Sequence, residues 1–214
     1  MLEKLQSALQ QRYCTKVFKK GTIIDNSKLD TLLNTLSLAP TSINSQAWHL
    51  FAITDPTEKA RLAEAASPDN KNKYKDGACL FIFCVKTNFS KKDLLELENF
   101  AAKKRGVEVN QKRVAMLTGY LDEKSPQECQ EWLSRQVYIV LGQFLTSCSL
   151  LGVDSCPIEG FDNKAMDKLL GLKEKGLTSI VSAVIGERSP EDFNTLDKAP
   201  KVRFPREKMI TEIN

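Results

Sequence analysis

The chain has 214 residues, enough to bury a hydrophobic core within one domain. Hydrophobic residues make up 42% of it and charged residues 27%, a composition that excludes a disordered or fibrous chain. The formal charge of +4 is too small for a protein that neutralises many phosphates of a nucleic-acid duplex, and it favours a small anionic ligand.

The first residues contain no apolar run typical of a secretion signal, and the most apolar stretch, 137–151, is interrupted by polar residues. This stretch is also shorter than the roughly 18 to 20 apolar residues that a membrane span needs. We therefore expect a cytoplasmic protein with no membrane segment. Its six scattered cysteines are then expected to be reduced, and one histidine with no Cys-x-x-Cys pair leaves a structural metal site without ligands.

Apolar residues recur with helical spacing along most of the chain. The pattern predicts helices over about 2–12, from 26 to before 40, 56–66, 90–106 and 126–151, and a short helix that ends at 170. Asp55, Pro56 and Glu58 have the identities of an N-cap, a first helical residue and a capping-box partner. No pattern assigns residues 107–128.

Three apolar runs without helical spacing, 48–53, 79–85 and 179–185, predict strands, and the first two are expected to be buried. Cys79 and Cys84 lie five residues apart on the second run and should face opposite sides of the sheet. The tail from Glu191 is polar and carries no core signal. Helices outnumber the strands and separate them, so we expect one domain over 1–214 of class α+β or α/β, with a small central sheet covered by helices.

The common nucleotide-binding and nucleophile motifs are absent from the sequence. There is no Gly-x-Gly-x-x-Gly, no Gly-x-x-x-x-Gly-Lys-Ser/Thr and no Gly-x-Ser-x-Gly. These absences argue against a dinucleotide held in a Rossmann crevice and against P-loop phosphoryl transfer.

Four separated clusters have residues suited to a ligand. Residues 12–16 (Arg-Tyr-Cys-Thr-Lys) place two cations four apart, and residues 40–49 supply short hydroxyl and amide side chains between a helix and a strand. Residues 157–161 (Pro-Ile-Glu-Gly-Phe) include a glycine that permits close backbone approach, and residues 200–206 form a basic tail. Taken singly, each cluster also fits an ordinary turn or a solvated surface.

In this order and at these intervals, the four clusters resemble the nitroreductase family. The likeness is strongest to its oxygen-insensitive NAD(P)H nitroreductases, dihydropteridine reductases and NAD(P)H:flavin oxidoreductases. It runs from about Leu5 to the C-terminus and includes Glu131-Trp132, the run 171–176 and the segment 191–194 (Glu-Asp-Phe-Asn).

The resemblance implies an α+β fold, a nitroreductase-like three-layer α/β/α sandwich with a small mixed central sheet. It also implies a homodimer in which a C-terminal arm, about 195–214, is exchanged between subunits. An excursion over about 90–128 is expected to line the substrate channel.

The same resemblance implies one FMN per subunit and no metal. The residues implied to bind FMN are Arg12, Tyr13, Cys14 and Lys16; Pro40, Thr41, Ser42 and Asn44; Asn70 and Lys73; Pro157, Ile158, Glu159 and Gly160; and Lys201 and Arg203.

Within this set, Arg12, Lys201 and Arg203 would hold the phosphate, because guanidinium and ammonium groups suit a dianion. Lys16 would lie near the N1/O2 edge of the flavin, where a cation stabilises the reduced form. Residues 40–44 would reach the flavin of the partner subunit. Cys14 stands where relatives commonly have serine or threonine, so a thiol would fill the space of their hydroxyl.

On this interpretation FMN supplies the chemistry and no side chain is a catalytic nucleophile. NAD(P)H would bind as a transient cosubstrate, and ping-pong kinetics would carry electrons to nitroaromatics, quinones, flavins or pterins. The alternatives are a dedicated NAD(P)H:flavin reductase and a non-catalytic FMN-binding dimer. A nucleic-acid partner is disfavoured because no aromatic residues interleave with the basic stretches.

Overall fold

The computed structural model describes residues 1–213, in which nine α-helices surround one four-stranded sheet. The helices are α1 (Leu2–Gln11), α2 (Asn26–Ser37), α3 (Pro56–Leu62), α4 (Pro68–Asp76), α5 (Lys91–Arg105), α6 (Gln111–Asp122), α7 (Pro126–Leu150), α8 (Asn163–Leu170) and α9 (Arg206–Met209). The strands are β1 (Trp48–Ile53), β2 (Cys79–Lys86), β3 (Asp154–Ile158) and β4 (Leu177–Gly186). Asn214, the last residue of the expected arm, lies outside the described residues.

The sheet has the strand order β1-β2-β4-β3, and each of the three strand pairs is antiparallel. The expectation of a mixed sheet is therefore wrong for these four strands. The reason is visible between β1 and β2, where α3 and α4 return the chain to the end at which β1 stopped, so that Ile53 pairs with Leu80. A parallel contact does occur as an isolated bridge between Cys14 and Ser155 of β3.

The sheet is the middle of three layers, as expected. Strand β2 is buried on both faces, which explains its unbroken apolar run. Phe81 and Phe83 pack in a core with α2 and α7, whereas Leu80 and Ile82 pack in a second core with α3, α4 and α8. The predicted α/β/α sandwich is confirmed.

Cys79 and Cys84 fall in the two different cores, so the prediction that they face opposite sides of the sheet is confirmed. Strand β1 is half-buried rather than buried, because it lies at the edge of the sheet. His49 on this strand is exposed and stacks edge-on against Phe51, with ring centroids 4.8 Å apart. The edge position of β1 thus leaves the one histidine of the chain at the surface.

The ends of the predicted helices follow local capping chemistry. In α7, Ser125 and Glu128 form a reciprocal capping box, and α5 ends at Gly106 in the left-handed conformation. In α3 the Asp55 side chain accepts a hydrogen bond from the Glu58 N–H at 2.8 Å, but the Glu58 carboxylate pairs with Arg61 instead of completing the box. Within residues 1–213, neither α7 nor any shorter helix has the length and apolarity needed to cross a membrane.

The stretch 107–128, which no sequence pattern assigned, contains α6. The Asn110 side chain caps this helix by accepting a hydrogen bond from the Arg113 N–H at 3.0 Å. Leu117 and Leu121 are buried in the core that contains α7, and Arg113 pairs with Glu98 of α5 at 3.0 Å. The excursion is therefore a helical pair that packs on the core.

Gly77, just before β2, sits where no side chain fits. A Cβ at this position would lie 2.1 Å from Val184 Cγ1 and 3.1 Å from the Ile185 carbonyl oxygen. We expect Gly77→Ala to lower the free energy of unfolding by about 3 kcal/mol through overpacking. Urea denaturation measures the change.

The matched control is Gly119→Ala, because Gly119 is exposed in α6 with no atom near its absent Cβ. This variant should gain about 1 kcal/mol in the free energy of unfolding from helix propensity. Equal stability of the two variants would contradict this packing.

Candidate functional site

Residues 13–16 run beside the outer edge of β3, directly after α1. Arg12 is the C-cap residue of α1, and the Thr15 N–H donates to the Ser155 carbonyl oxygen at 3.1 Å. This contact and the Cys14–Ser155 bridge place the first cluster along the strand that leads to residues 157–160.

The C-terminal segment returns to the same place. The Lys201 ammonium donates to the carbonyl oxygens of Leu9 and Arg12 at 2.6 and 2.5 Å and lies 4.9 Å from the centre of the Tyr13 ring. The Tyr13 hydroxyl donates to the Ala199 carbonyl oxygen at 2.9 Å. The fold therefore brings together two of the predicted clusters, although 189 positions separate Lys201 from Arg12.

The cations in this region repel one another. Partial burial lowers the pKa of Lys201, and the positive charges of Arg12 and Arg203 lower it further. In the part of the chain that the structure describes, Arg12, Lys16, Lys201 and Arg203 form no ion pair with a carboxylate. Such a group of cations is suited to an anion with more than one negative charge.

A buried polar network holds residues 13–16 in place. Asp192 has a relative exposure of 0%. Its carboxylate pairs with Arg188 and accepts hydrogen bonds from the backbone N–H groups of Lys16 and Asn194, each at 3.0 Å. A carboxylate with this many donors is well compensated for its burial.

The partners of Asp192 also contact this segment. The Arg188 guanidinium donates to the Tyr13 carbonyl oxygen at 3.1 Å, and the Asn194 side chain donates to the Cys14 carbonyl oxygen at 2.8 Å. Arg188 pairs in addition with Asp154 of β3 at 3.3 Å. We call Arg188, Asp192 and Asn194 the clamp.

The tail from Glu191 carries no core signal in the sequence, yet its Asp192 is fully buried. The residues of the clamp were missed as site components because polar side chains in a polar segment give no periodic signal. The available signal was the short segment 191–194, which belongs to the family resemblance.

Asn70, Lys73 and Gly160 form a second cluster. The Asn70 side-chain amide donates to the Gly160 carbonyl oxygen at 3.1 Å and accepts a hydrogen bond from the Lys73 ammonium at 2.9 Å. Lys73 is buried, and both it and Lys16 lie close enough to Cys156 of β3 to oppose the rise in the pKa of that thiol. The two clusters therefore adjoin along β3.

Gly160 is required by this close approach. A Cβ there would lie 2.6 Å from Asn70 Nδ2 and 3.0 Å from Ser67 Oγ. Pro157 and Ile158, which were expected in a turn, are the last two residues of β3. The strand was missed because it has only five residues and includes a proline, which is tolerated at a sheet edge.

Glu159 is exposed and has a specific partner on α7. Its carboxylate accepts a hydrogen bond from the Tyr138 hydroxyl at 2.6 Å. Partial burial and the neighbouring Glu159 charge raise the pKa of Tyr138 to about 12. Tyr138 thus stays a donor at neutral pH and fixes the orientation of Glu159.

The loop that contains Pro40, Thr41, Ser42 and Asn44 lies between α2 and β1 and contacts a different element. The Ser42 N–H donates to the buried side chain of Gln136 in α7 at 2.8 Å, and the other hydrogen bonds described for residues 41–46 stay within the loop. Ile43 and Asn44 have φ values of 52° and 57°. A β-branched residue is strained in this region, and such strain is typical of functional segments.

Comparisons with known proteins identify relatives of this chain. The model of the nitroreductase family matches residues 9–186. The oxygen-insensitive NAD(P)H nitroreductase of Salmonella typhimurium is 33% identical to this chain over 216 residues, covering 97% of the chain and 98% of the relative. The major NAD(P)H-flavin oxidoreductase of Aliivibrio fischeri is 28% identical over 210 residues, covering 95% of each.

Among solved structures, a nitroreductase of Exiguobacterium sibiricum in complex with FMN superposes with a TM-score of 0.81. It shares 18% sequence identity, and the alignment covers 98% of this chain and 97% of that chain. This likeness shows a common fold, and the sequence matches show common descent. The chain belongs to the nitroreductase family.

Proposed function

We propose that this chain is an FMN-containing oxidoreductase that takes electrons from NAD(P)H and delivers them to nitroaromatics, quinones, flavins or pterins. The single observation that supports this most is the convergence of Arg12, Lys201 and Arg203, from opposite ends of the chain, without a carboxylate ion pair among the described residues. The names of the Salmonella and Aliivibrio relatives support the same chemistry.

The residues present fit FMN. Arg12, Lys201 and Arg203 offer three cations to a phosphate dianion. Gly160 lets the turn after β3 pack directly against Asn70, which brings the backbone of Glu159 and Gly160 beside the polar groups of Asn70 and Lys73.

When bound, FMN supplies the hydride and electron chemistry that side chains cannot. The contribution of the chain is to bind and orient the cofactor. Lys16 places a positive charge that favours the reduced form of the cofactor, and the clamp fixes the backbone of Lys16. The backbone of Glu159 and Gly160 would orient the ring, with no titrating acid required.

A homodimer belongs to this proposal. The loop at residues 40–44 is strained, and its described hydrogen bonds go to α7 and to itself, which is consistent with a role in the partner subunit's site. Large apolar side chains are exposed on α1, on α7 and along the C-terminal arm: Leu2, Leu5 and Leu9; Tyr138, Ile139 and Leu150; and Leu196, Val202, Phe204, Met209, Ile210 and Ile213. Exposed apolar surface of this extent is typical of an interface.

Absorption spectroscopy tests the central proposal. The purified protein should be yellow, release FMN on heating and lose its flavin band when NADH or NADPH is added without oxygen. Initial rates at several fixed acceptor concentrations should give parallel double-reciprocal lines, because coenzyme and acceptor use one pocket in turn. A colourless protein that takes up no FMN would refute the proposal. A flavin band that persists after both NADH and NADPH are added would show that the protein binds FMN but does not catalyse its reduction.

A dedicated flavin reductase is the second candidate, favoured by the name of the Aliivibrio relative. The two candidates differ in their acceptor. A flavin reductase should turn over free FMN much faster than a nitrofuran or menadione, whereas a broad reductase should use all three.

A further inference from the structure

Cys14 and Cys156 lie against each other within the candidate site. Cys14 packs against the core that contains Cys156, and its bridge to Ser155 places it beside the residue that precedes Cys156. Cys14 is half-buried, while Cys156 on β3 has a relative exposure of 2%. One sulfur can therefore be reached by a small solute, and the other lies directly behind it.

The backbone around this pair is held firmly. The Asn194 side chain donates a hydrogen bond to the Cys14 carbonyl oxygen at 2.8 Å, and the Thr15 N–H donates to the Ser155 carbonyl oxygen at 3.1 Å. The bridge between Cys14 and Ser155 places Cys14 diagonally across from Cys156. Ideal spacings of about 4.8 Å between strands and about 3.3 Å along a strand put such Cα atoms about 6 Å apart. This separation falls in the range of roughly 4.4 to 6.8 Å that a disulfide requires.

The charges around Cys14 favour its thiolate. The neighbouring Cys156 thiol and the charges of Arg12 and Lys16 lower the pKa of Cys14, against the opposing effect of its partial burial. Burial raises the pKa of Cys79 and of Cys84 to about 12, so these thiols stay protonated and inert. Thiolates are the nucleophilic form of cysteine.

We propose that Cys14 is a site of oxidation by hydroperoxides and that Cys156 is its resolving partner. The Cys14 thiolate attacks one peroxide oxygen; an S–O bond forms, the O–O bond breaks, and the leaving hydroxide or alkoxide takes up a proton from water. This oxidation removes the Cys14 thiolate, which together with burial raises the pKa of Cys156. The Cys156 sulfur then attacks the neutral sulfenic acid; an S–S bond forms, and the hydroxyl leaves with the Cys156 proton as water. The two thiols lose two electrons in total, and the peroxide gains them.

One consequence rests on the proposed function. If residues 12–16 bind the FMN phosphate, bound FMN covers the Cys14 sulfur, and its negative charge disfavours the thiolate. FMN should therefore slow the oxidation by about tenfold or more.

The experiment uses the full-length protein, reduced, desalted and treated with hydrogen peroxide with and without added FMN. Alkylation followed by mass spectrometry counts the thiols and maps any crosslink. Without FMN, the alkylated thiols should fall from six to four per chain, with one Cys14–Cys156 crosslink. Cys156→Ser should instead accumulate a sulfenic acid at Cys14 that dimedone traps.

Cys129→Ser is the matched control, because Cys129 is also half-buried but lies outside the pair. This variant should form the crosslink at the wild-type rate. Six alkylated thiols after treatment, or oxidation of Cys129 as fast as that of Cys14, would overturn the proposal. The reaction without added FMN does not depend on cofactor binding. A protein that takes up no FMN would therefore refute the proposed function, while the thiol counts would still test the oxidation of Cys14.

Discussion

Replacing Asp192 by alanine should lower the free energy of unfolding by about 3 to 5 kcal/mol, because it leaves the mostly buried Arg188 guanidinium without its closest carboxylate. The Lys16 and Asn194 backbone N–H groups lose their acceptor in the same step. Denaturation in urea, followed by circular dichroism, measures the loss.

A surface ion pair close by in the fold provides the control for this variant. Lys19 and Glu187 are paired at 3.0 Å with more than half of each side chain exposed, so Glu187→Ala should change stability by less than about 1 kcal/mol. Asp192→Asn keeps the side-chain shape but removes the charge, and it should also weaken FMN binding. A loss no larger for Asp192→Ala than for Glu187→Ala would show that the clamp does not hold this region.

Removing the Lys201 ammonium should raise the Kd for FMN by about 10- to 100-fold, the usual worth of one charge-assisted hydrogen bond. The change is Lys201→Met, which keeps a long unbranched side chain and removes the ammonium that lies over the Tyr13 ring. Quenching of flavin fluorescence on binding measures the Kd.

Riboflavin separates a phosphate contact from a general loss of the site, because it has the ring of FMN without the phosphate. Lys201→Met should alter the riboflavin Kd far less than the FMN Kd. Lys208→Met removes the same charge from the exposed helix α9, where the ammonium lies over the Phe204 ring, and should leave both affinities unchanged. Equal losses for FMN and riboflavin would contradict a phosphate role for Lys201.

The helices were predictable because their signals are local. The Leu29, Leu32 and Leu36 spacing predicts α2, and the structure places Leu32 and Leu36 in the core. Strand β3 was not predictable in this way. Its five residues are too few for a pattern, and they become a strand only because β4 supplies hydrogen-bond partners from Ser182 to Gly186.

Part of the candidate site could likewise be predicted from the sequence and part could not. Arg12, Lys16 and Lys201 were identified by order and spacing, and the fold brings Lys201 to Arg12. The clamp was not identified, because the burial of Asp192 depends on residues 13–16 folding back against it. A buried charged residue whose partners are distant in sequence produces no periodic pattern from which its burial could be predicted.

The contacts between the first cluster and the segment 188–201 join positions about as far apart as the chain allows, such as Arg12 with Lys201 and Cys14 with Asn194. Closing a loop of this size has a large entropic cost, which later contacts must offset. During synthesis, residues 12–16 leave the ribosome early, and their partners in the segment 188–201 follow only after most of the chain has been made. The proposed FMN site is thus among the last parts of the fold to form, and a chain that ends before Arg188 lacks both the clamp and the Lys201 ammonium.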